Sequence, residues 1–220
     1  MKKEVVVTGD GSKTIHMPEL NESYHSTHGA LQEAEHVFVK YGLAQLDKGI
    51  LDVFELGYGT GLNAILAYRF SKQNNVQINY VGVEAYPVSM EMLEALDYTD
   101  FLSADEKGVF IKMHKVAWGD KVELSDQFKF QKVEQKIEDY RVKEGTVDII
   151  FFDAFGPRTQ GELWQPVILK KMAEMLREKG VLTTYCAQGQ FRRDLKSVGF
   201  DVTKVPGPPG KREMTVAFKL

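Results

Sequence analysis

The chain of 220 residues has a single cysteine, Cys186. One thiol cannot close an internal disulfide or build a thiolate metal cluster. Cys186 ends an apolar stretch, 181–186, that reads as a strand, so a buried inert thiol is expected rather than a nucleophile. No apolar run approaches the length of a membrane span. The opening residues, Met1-Lys2-Lys3-Glu4-Val5, lack the apolar core of a secretory signal. Together these absences lead to the expectation of a cytoplasmic protein with no membrane contact. The net charge of −3 excludes a uniformly basic, nucleic-acid-coating surface. There are no internal repeats and no low-complexity linker. At 43% apolar residues, 1–220 reads as one domain with an N-terminal extension over 1–46. His16, His25, His28 and His36 lie close in sequence, but no cysteine joins them and their spacing fits no common zinc pattern. No metal is expected.

What is present is an alternation of two periodicities. Residues 1–27 are polar, with a turn at Gly9-Asp10-Gly11. Leu31, Ala34, Phe38 and Tyr41 recur at helical spacing and predict an amphipathic helix ending near Gly42. Strands are predicted over 51–56, 80–84, 122–124, 128–133, 147–152 and 181–186. The stretch 147–152 is apolar enough to be buried on both faces. Helices are predicted through Ala64, Ile65 and Ala67, around 90–96, and over 189–198. A further helix takes Trp164, Ile168, Met172, Met175 and Leu176 as its apolar stripe and ends at Gly180. Segments 200–205 and 213–219 form a closing antiparallel pair, because the loop between them is too short for a crossover helix. The expectation is an α/β, Rossmann-like layer fold with a mainly parallel sheet.

The chemistry concentrates at Leu51-Asp52-Val53-Phe54-Glu55-Leu56-Gly57-Tyr58-Gly59-Thr60-Gly61-Leu62-Asn63. A buried strand runs into three glycines spaced G-x-G-x-G and then a helix, the arrangement by which a parallel sheet holds an adenosine-type ligand. The third glycine comes one position earlier than in the usual dinucleotide fingerprint, G-x-G-x-x-G. Glu84 ends the next strand, 23 residues after Gly61, where an acid can accept hydrogen bonds from ribose hydroxyls. Glu55 could hold a ligand amino group, directly or through water. Glu134, Glu138 and Asp139, after the 128–133 strand, are alternative adenine contacts. Asp153-Ala154-Phe155-Gly156-Pro157 leaves the most apolar strand, and a carboxylate at that depth needs partners. From Gly189 to Leu220 seven cations face three anions, a local basic tail suited to phosphate.

Four segments in order resemble one family. They are Asp10-Gly11-Ser12 with Ser23-Tyr24-His25-Ser26-Thr27-His28-Gly29-Ala30 and Glu35-His36-Val37-Phe38; Glu55 to Asn63; Phe152-Asp153-Ala154-Phe155-Gly156-Pro157 with Leu163-Trp164; and Lys211-Arg212-Glu213-Met214. The chain is similar to the MnmC-type methyltransferases, which form 5-methylaminomethyl-2-thiouridine in tRNA. The resemblance implies a Rossmann-like fold dependent on S-adenosylmethionine (SAM), to which the closing strand pair is proper. It implies that Glu55, Gly57, Tyr58, Gly59, Gly61, Asn63 and Glu84 line the SAM pocket, and that Asp153 and Phe155 stand on the acceptor side. The acceptor would be the primary amine of 5-aminomethyl(-2-thio)uridine at the wobble position. Arg192, Arg193, Lys211 and Arg212 would hold phosphates of the anticodon stem-loop. Phe155, Tyr185 or Trp164 could face the sulfonium or the uracil. Many relatives carry a second, flavin-dependent domain that makes the amine. No second dinucleotide motif occurs in this sequence, so a separate supply of the aminomethyl form is expected, as is a monomer. Two other readings stay open: a small-molecule methyltransferase or aminopropyltransferase, and a non-catalytic RNA-binding module.

Overall fold

The computed structural model describes residues 2–220, with backbone alone at 99 and 100. Its centre is an eight-stranded sheet built around β4 (Ile50–Leu56). On one side β4 pairs in parallel with β5 (Gln77–Glu84), and β5 with β7 (Phe128–Glu134). On the other side β4 pairs in parallel with β8 (Val147–Phe152), and β8 with β9 (Leu176–Thr184). Both edges are antiparallel. β6 (Lys121–Ser125) closes one edge against β7, and β11 (Glu213–Lys219) with β10 (Phe200–Pro206) closes the other against β9. The C-terminal pair and the mainly parallel sheet expected from the sequence are therefore present. The chain leaves β4 toward β5 and returns on the far side at β8. That reversal opens a crevice beyond the carboxyl ends of β4 and β8, where open α/β sheets bind ligands.

Helices cover both faces. α2 (Leu62–Asn74) and α4 (Ala104–Lys115) pack on one, together with α1 (Ala30–Ala34) and the wider π-helical turns of Glu35–Lys40 that continue it. α5 (Pro166–Met175) and α6 (Gly189–Ser197) cover the other. Along β4, Leu51 and Val53 enter the first layer while Phe54 and Leu56 enter the second. Each such fully buried side chain contributes roughly 1.5–3 kcal/mol. At the amino ends of the strands Asp148 accepts from Lys48 Nζ (2.6 Å), Arg177 Nη1 (2.7 Å) and the Asp52 amide (2.9 Å). Among the described residues no helix is long and apolar enough to cross a membrane.

Several elements depart from the sequence expectation. The polar stretch before residue 27 is a three-stranded antiparallel meander, β1 (Glu4–Val7), β2 (Lys13–Met17) and β3 (Glu22–Ser23). α4 and its capping box, Ser103 with Glu106, were not foreseen; α3 (Met90–Leu96) falls where expected. The helix predicted from Trp164 to Gly180 is three pieces. Trp164 ends a short 3-10 turn (Gly161–Trp164), Pro166 starts α5, and Leu176 already belongs to β9. Lys179, at φ 62°, lies where β9 shifts its register against β8, and a side chain at Gly180 would strike the Arg177 carbonyl at 2.8 Å.

Candidate active site

The glycine loop forms the floor of a cavity in the crevice. Gly57, Gly59 and Gly61 adopt φ of 93°, 52° and 76°, a region that residues with a Cβ enter at a cost. A Cβ at Gly57 would also lie 2.5 Å from the Asp153 carbonyl. The loop is drawn toward β5 by the amides of Gly57 and Tyr58, which both donate to the Val83 carbonyl (2.9 and 3.1 Å). The cavity is walled by this loop, by Glu84 to Tyr86, by residues 135–138, and by Asp153 to Phe155 with Gln160 and Leu163. Tyr24 and His25, from the N-terminal extension, complete it.

Glu84 stands at the carboxyl end of β5 and accepts the Gly59 amide on Oε2 and the Tyr86 amide on Oε1, each at 2.9 Å. One backbone donor on each oxygen fixes the carboxylate and leaves lone pairs for hydroxyl donors. Asn63, in the first turn of α2, uses Nδ2 to bridge Glu55 Oε1 and Asp153 Oδ2, both at 2.8 Å. Among the described residues its Oδ1 is buried without a partner, as is Thr60 Oγ1. An amide oxygen and a hydroxyl buried without partners are costly unless a ligand pairs with them.

Glu55 is fully buried one layer behind this wall, so a direct contact with a ligand is corrected to support from behind. Its other oxygen accepts from Tyr80 (2.6 Å). Burial pushes the Glu55 carboxyl well above its ordinary range; the Tyr80 and Asn63 hydrogen bonds oppose this, while Asp153 and Glu84 add to it. Asp153 leaves β8 at the cavity. Burial and the negative charge of Glu33 raise its pKa to about 7, against the pull of Asn63 and Lys211. Phe155 meets Tyr24 edge-on at 5.0 Å across the cavity mouth. Its backbone is pinned by the Gln160 amide oxygen (3.0 Å) and by Trp164 Nε1 (2.8 Å). Trp164 itself is 4% exposed and packs on Phe152 and Phe191, so it belongs to the core. Tyr185 donates to the Ala154 carbonyl at 2.7 Å.

Other expected site residues are redistributed. The Tyr58 ring turns inward onto Gly82, Trp118 and Phe130, leaving mainly its backbone to the cavity. Of the three alternative adenine contacts only Glu138 borders the cavity, beside Gln135 and the buried Ile137. Arg192 is corrected from a phosphate contact to a strut. It is 7% exposed and spends its guanidinium on Thr215, Glu213 and the Met214 carbonyl. Lys211 is held by Glu33 at 2.6 Å. Arg193 and Arg212 remain exposed. The four N-terminal histidines go separate ways. His16 pairs with Ser23, His25 with Tyr98 and His36 with the Pro206 carbonyl, while His28 packs against Gly210. Cys186 is buried, and its thiol is pushed up by that burial. Sequence reasoning named Tyr24 and His25 only within the resembling segment and gave no site role to them or to Tyr86, Gln135, Ile137 or Gln160. The signal for Tyr24 was an aromatic in an otherwise polar stretch, and for Ile137 a lone aliphatic in a charged loop.

The geometry fits an adenosyl ligand bearing an amino acid group. The loop is pressed close by positive-φ glycines, Glu84 offers free lone pairs, and Asn63 Oδ1 awaits a donor. Comparison with known proteins agrees. A family model described as S-adenosyl-L-methionine-dependent methyltransferase matches residues 97–220. The tRNA 5-methylaminomethyl-2-thiouridine biosynthesis bifunctional protein MnmC of Cupriavidus necator is 33% identical over 215 residues, covering 91% of this chain and 32% of that protein. The protein of the same name from a Marinomonas strain is 30% identical over 214 residues, again 91% of this chain and 32% of that one. This chain thus spans about a third of the length of these relatives. The crystal structure of MnmC2 from Aquifex aeolicus superposes with a TM-score of 0.76 at 22% identity, over 98% of this chain and 69% of that one. Spermidine synthase from Thermotoga maritima shares the fold at a TM-score of 0.52 and 13% identity, over 99% of this chain and 69% of that one.

Proposed function

We propose, from the premise that this chain belongs to the S-adenosyl-L-methionine-dependent methyltransferases, that it methylates the primary amine of 5-aminomethyl(-2-thio)uridine at the tRNA wobble position. The observation that carries the reading is Asp153. Its carboxyl sits in one cavity with the glycine loop and Glu84, tied to α2 by Asn63, and holds its proton up to about pH 7. The names of the MnmC relatives support the acceptor over the third of their length that this chain matches.

In this reading Glu84 accepts the ribose hydroxyls, Ile137 and residues 135–138 border the adenine, and Asn63 Oδ1 accepts from the amino group. Bound there, SAM supplies a methyl group on a cationic sulfur, open to attack by a neutral amine. The amine of the acceptor resembles that of lysine, with an unperturbed pKa near 10, and must lose a proton. Asp153 accepts its N–H, orients the lone pair and takes the proton, directly or through water. Phe155 and Tyr24 shape the entrance for an unstacked base. Holding the nucleophile in line is the larger contribution, because positioning accounts for several kcal/mol of a barrier. Of the four cations expected to meet RNA phosphates, Arg193 and Arg212 are the exposed ones, and a tRNA substrate suits a cytoplasmic protein.

Two measurements test this. Asp153→Ala should lower methyl transfer to tRNA at least a hundredfold while calorimetry still detects SAM binding; loss of SAM binding instead moves Asp153 to the donor side. Reversing Arg193 and Arg212 to Glu should weaken tRNA binding and flatten its salt dependence. Activity unmoved by that reversal favours a small-molecule acceptor.

A further inference from the structure

The Lys211-Arg212-Glu213-Met214 segment looks basic and accessible in sequence, yet of its four residues Arg212 alone is exposed in the fold. Met214 is fully buried, Glu213 is bound by Arg192 at 2.9 Å, and Lys211 reaches Glu33 at 2.6 Å. The turn between β10 and β11 is itself seated on the N-terminal extension. Gly210, at φ 82°, lies against the His28 ring, and the Pro206 carbonyl meets His36 Nε2 at 2.8 Å. Glu33 is 7% exposed and divides its two oxygens. Oε2 takes Lys211, and Oε1 takes the Ser26 amide at 2.9 Å, next to Tyr24 and His25 of the cavity wall. The Lys211 ammonium also stands 4.1 Å over the Tyr185 ring, whose hydroxyl holds the carbonyl of Ala154, the residue after Asp153. Three chain segments far apart in sequence are tied by this one pair.

We propose that the Lys211–Glu33 ion pair is a latch that positions Asp153. It clamps the Asp153-Ala154-Phe155 loop, through Tyr185, to the Tyr24–His25 wall, and its lysine does not contact RNA. The role assigned to Asp153 comes from the methyl-transfer reading above; the latch itself is a matter of geometry. Both partners are positioning residues. A second consequence follows from charge. Asp153 feels Glu33 and Lys211 from this latch, Glu84 from β5, Glu55 and Tyr80 from beneath, Asn63 from α2, and Tyr185 and Tyr98 from the flanking loops. Within that set the two latch charges oppose each other, Glu33 holding the Asp153 proton on and Lys211 drawing it off.

The test is a cycle of Lys211→Met, Glu33→Gln and the double variant, with Lys211→Arg as the conservative control. In the ligand-free protein, carbon-13 NMR of the Asp153 carboxyl reads its titration without any reaction. K211M should move the midpoint up and E33Q should move it down, each by about half a unit or more. The double variant should return toward the native value. In turnover, K211M should lower kcat about tenfold with the KM for tRNA within twofold, and K211R should recover most of it. Asp153 midpoints unchanged across the cycle, or a K211M variant with native kcat and a raised KM for tRNA, overturn the latch and make Lys211 a phosphate contact. Failure of the native protein to methylate tRNA removes the functional reading but leaves the NMR result standing.

Discussion

Asp153 is where the side-chain chemistry converges. Burial and Glu33 raise its pKa to about 7, so near neutrality it passes between a neutral acid and a carboxylate. A cationic ligand beside it prefers the carboxylate. The affinity for SAM should therefore strengthen as pH rises through about 7, and titration calorimetry between pH 6 and 8 checks it. S-adenosylhomocysteine, whose sulfur is uncharged, should show a shallower dependence. Asp153→Asn should remove the difference between the two ligands. An equal slope for both in the native protein would separate Asp153 from the sulfonium. Glu55 plays a different part from the one its position suggested. It is fully buried and shares Asn63 Nδ2 with Asp153, so it steadies the amide that faces the cavity.

At the level of elements, the glycine loop and the end of β8 are fitted to each other. Gly57→Ala puts a Cβ 2.5 Å from the Asp153 carbonyl and asks alanine to hold φ of 93°. The strain should cost about 1–3 kcal/mol in denaturant unfolding, and SAM binding should weaken at least tenfold. A stable G57A variant with native SAM affinity would show that the loop does not approach the ligand. The sequence reveals this part of the molecule well. Residues 51–63 and 147–153 carry their own pattern, and the acids open to the cavity, Glu84 and Asp153, fall at strand ends because a parallel sheet buries what lies between its helix layers. The short N-terminal strands were illegible. β3 has two residues and β1 presents exposed Val7, so no alternation could build up. α4 does leave a sequence signal, since Ser103-Ala104-Asp105-Glu106 has the composition of a capping box. The basic tail misled for a physical reason. Charge is visible in sequence, whereas the partner that consumes it is not, and Glu33 and Glu213 neutralise Lys211 and Arg192 across the fold.

For the whole molecule, buried titratable groups oppose one another with pH. His25 and His114 are held neutral by burial, each with a pKa near 4 against an ordinary 6.5. Their folded values lie below the unfolded ones, so the stability they permit is full above about pH 6.5 and is lost toward pH 4. Asp153 has the opposite sign. Its folded value lies above the ordinary 3.8, so the folded state gains protons, and stability, as pH falls below about 7. Asp153→Asn removes that gain. Its unfolding free energy should fall more steeply than the native protein's between pH 7.5 and 5, measured in urea; parallel slopes would place Asp153 in an ordinary solvated setting. The same carboxyl at the junction of sheet, glycine loop and N-terminal extension is what the proposed activity depends on. The most direct measurement incubates the purified protein with SAM and tRNA bearing 5-aminomethyl-2-thiouridine, then digests the tRNA and weighs its nucleosides. Conversion of the wobble nucleoside to its 5-methylaminomethyl form is the predicted result. Unchanged aminomethyl nucleoside, from protein that demonstrably binds SAM, would contradict it.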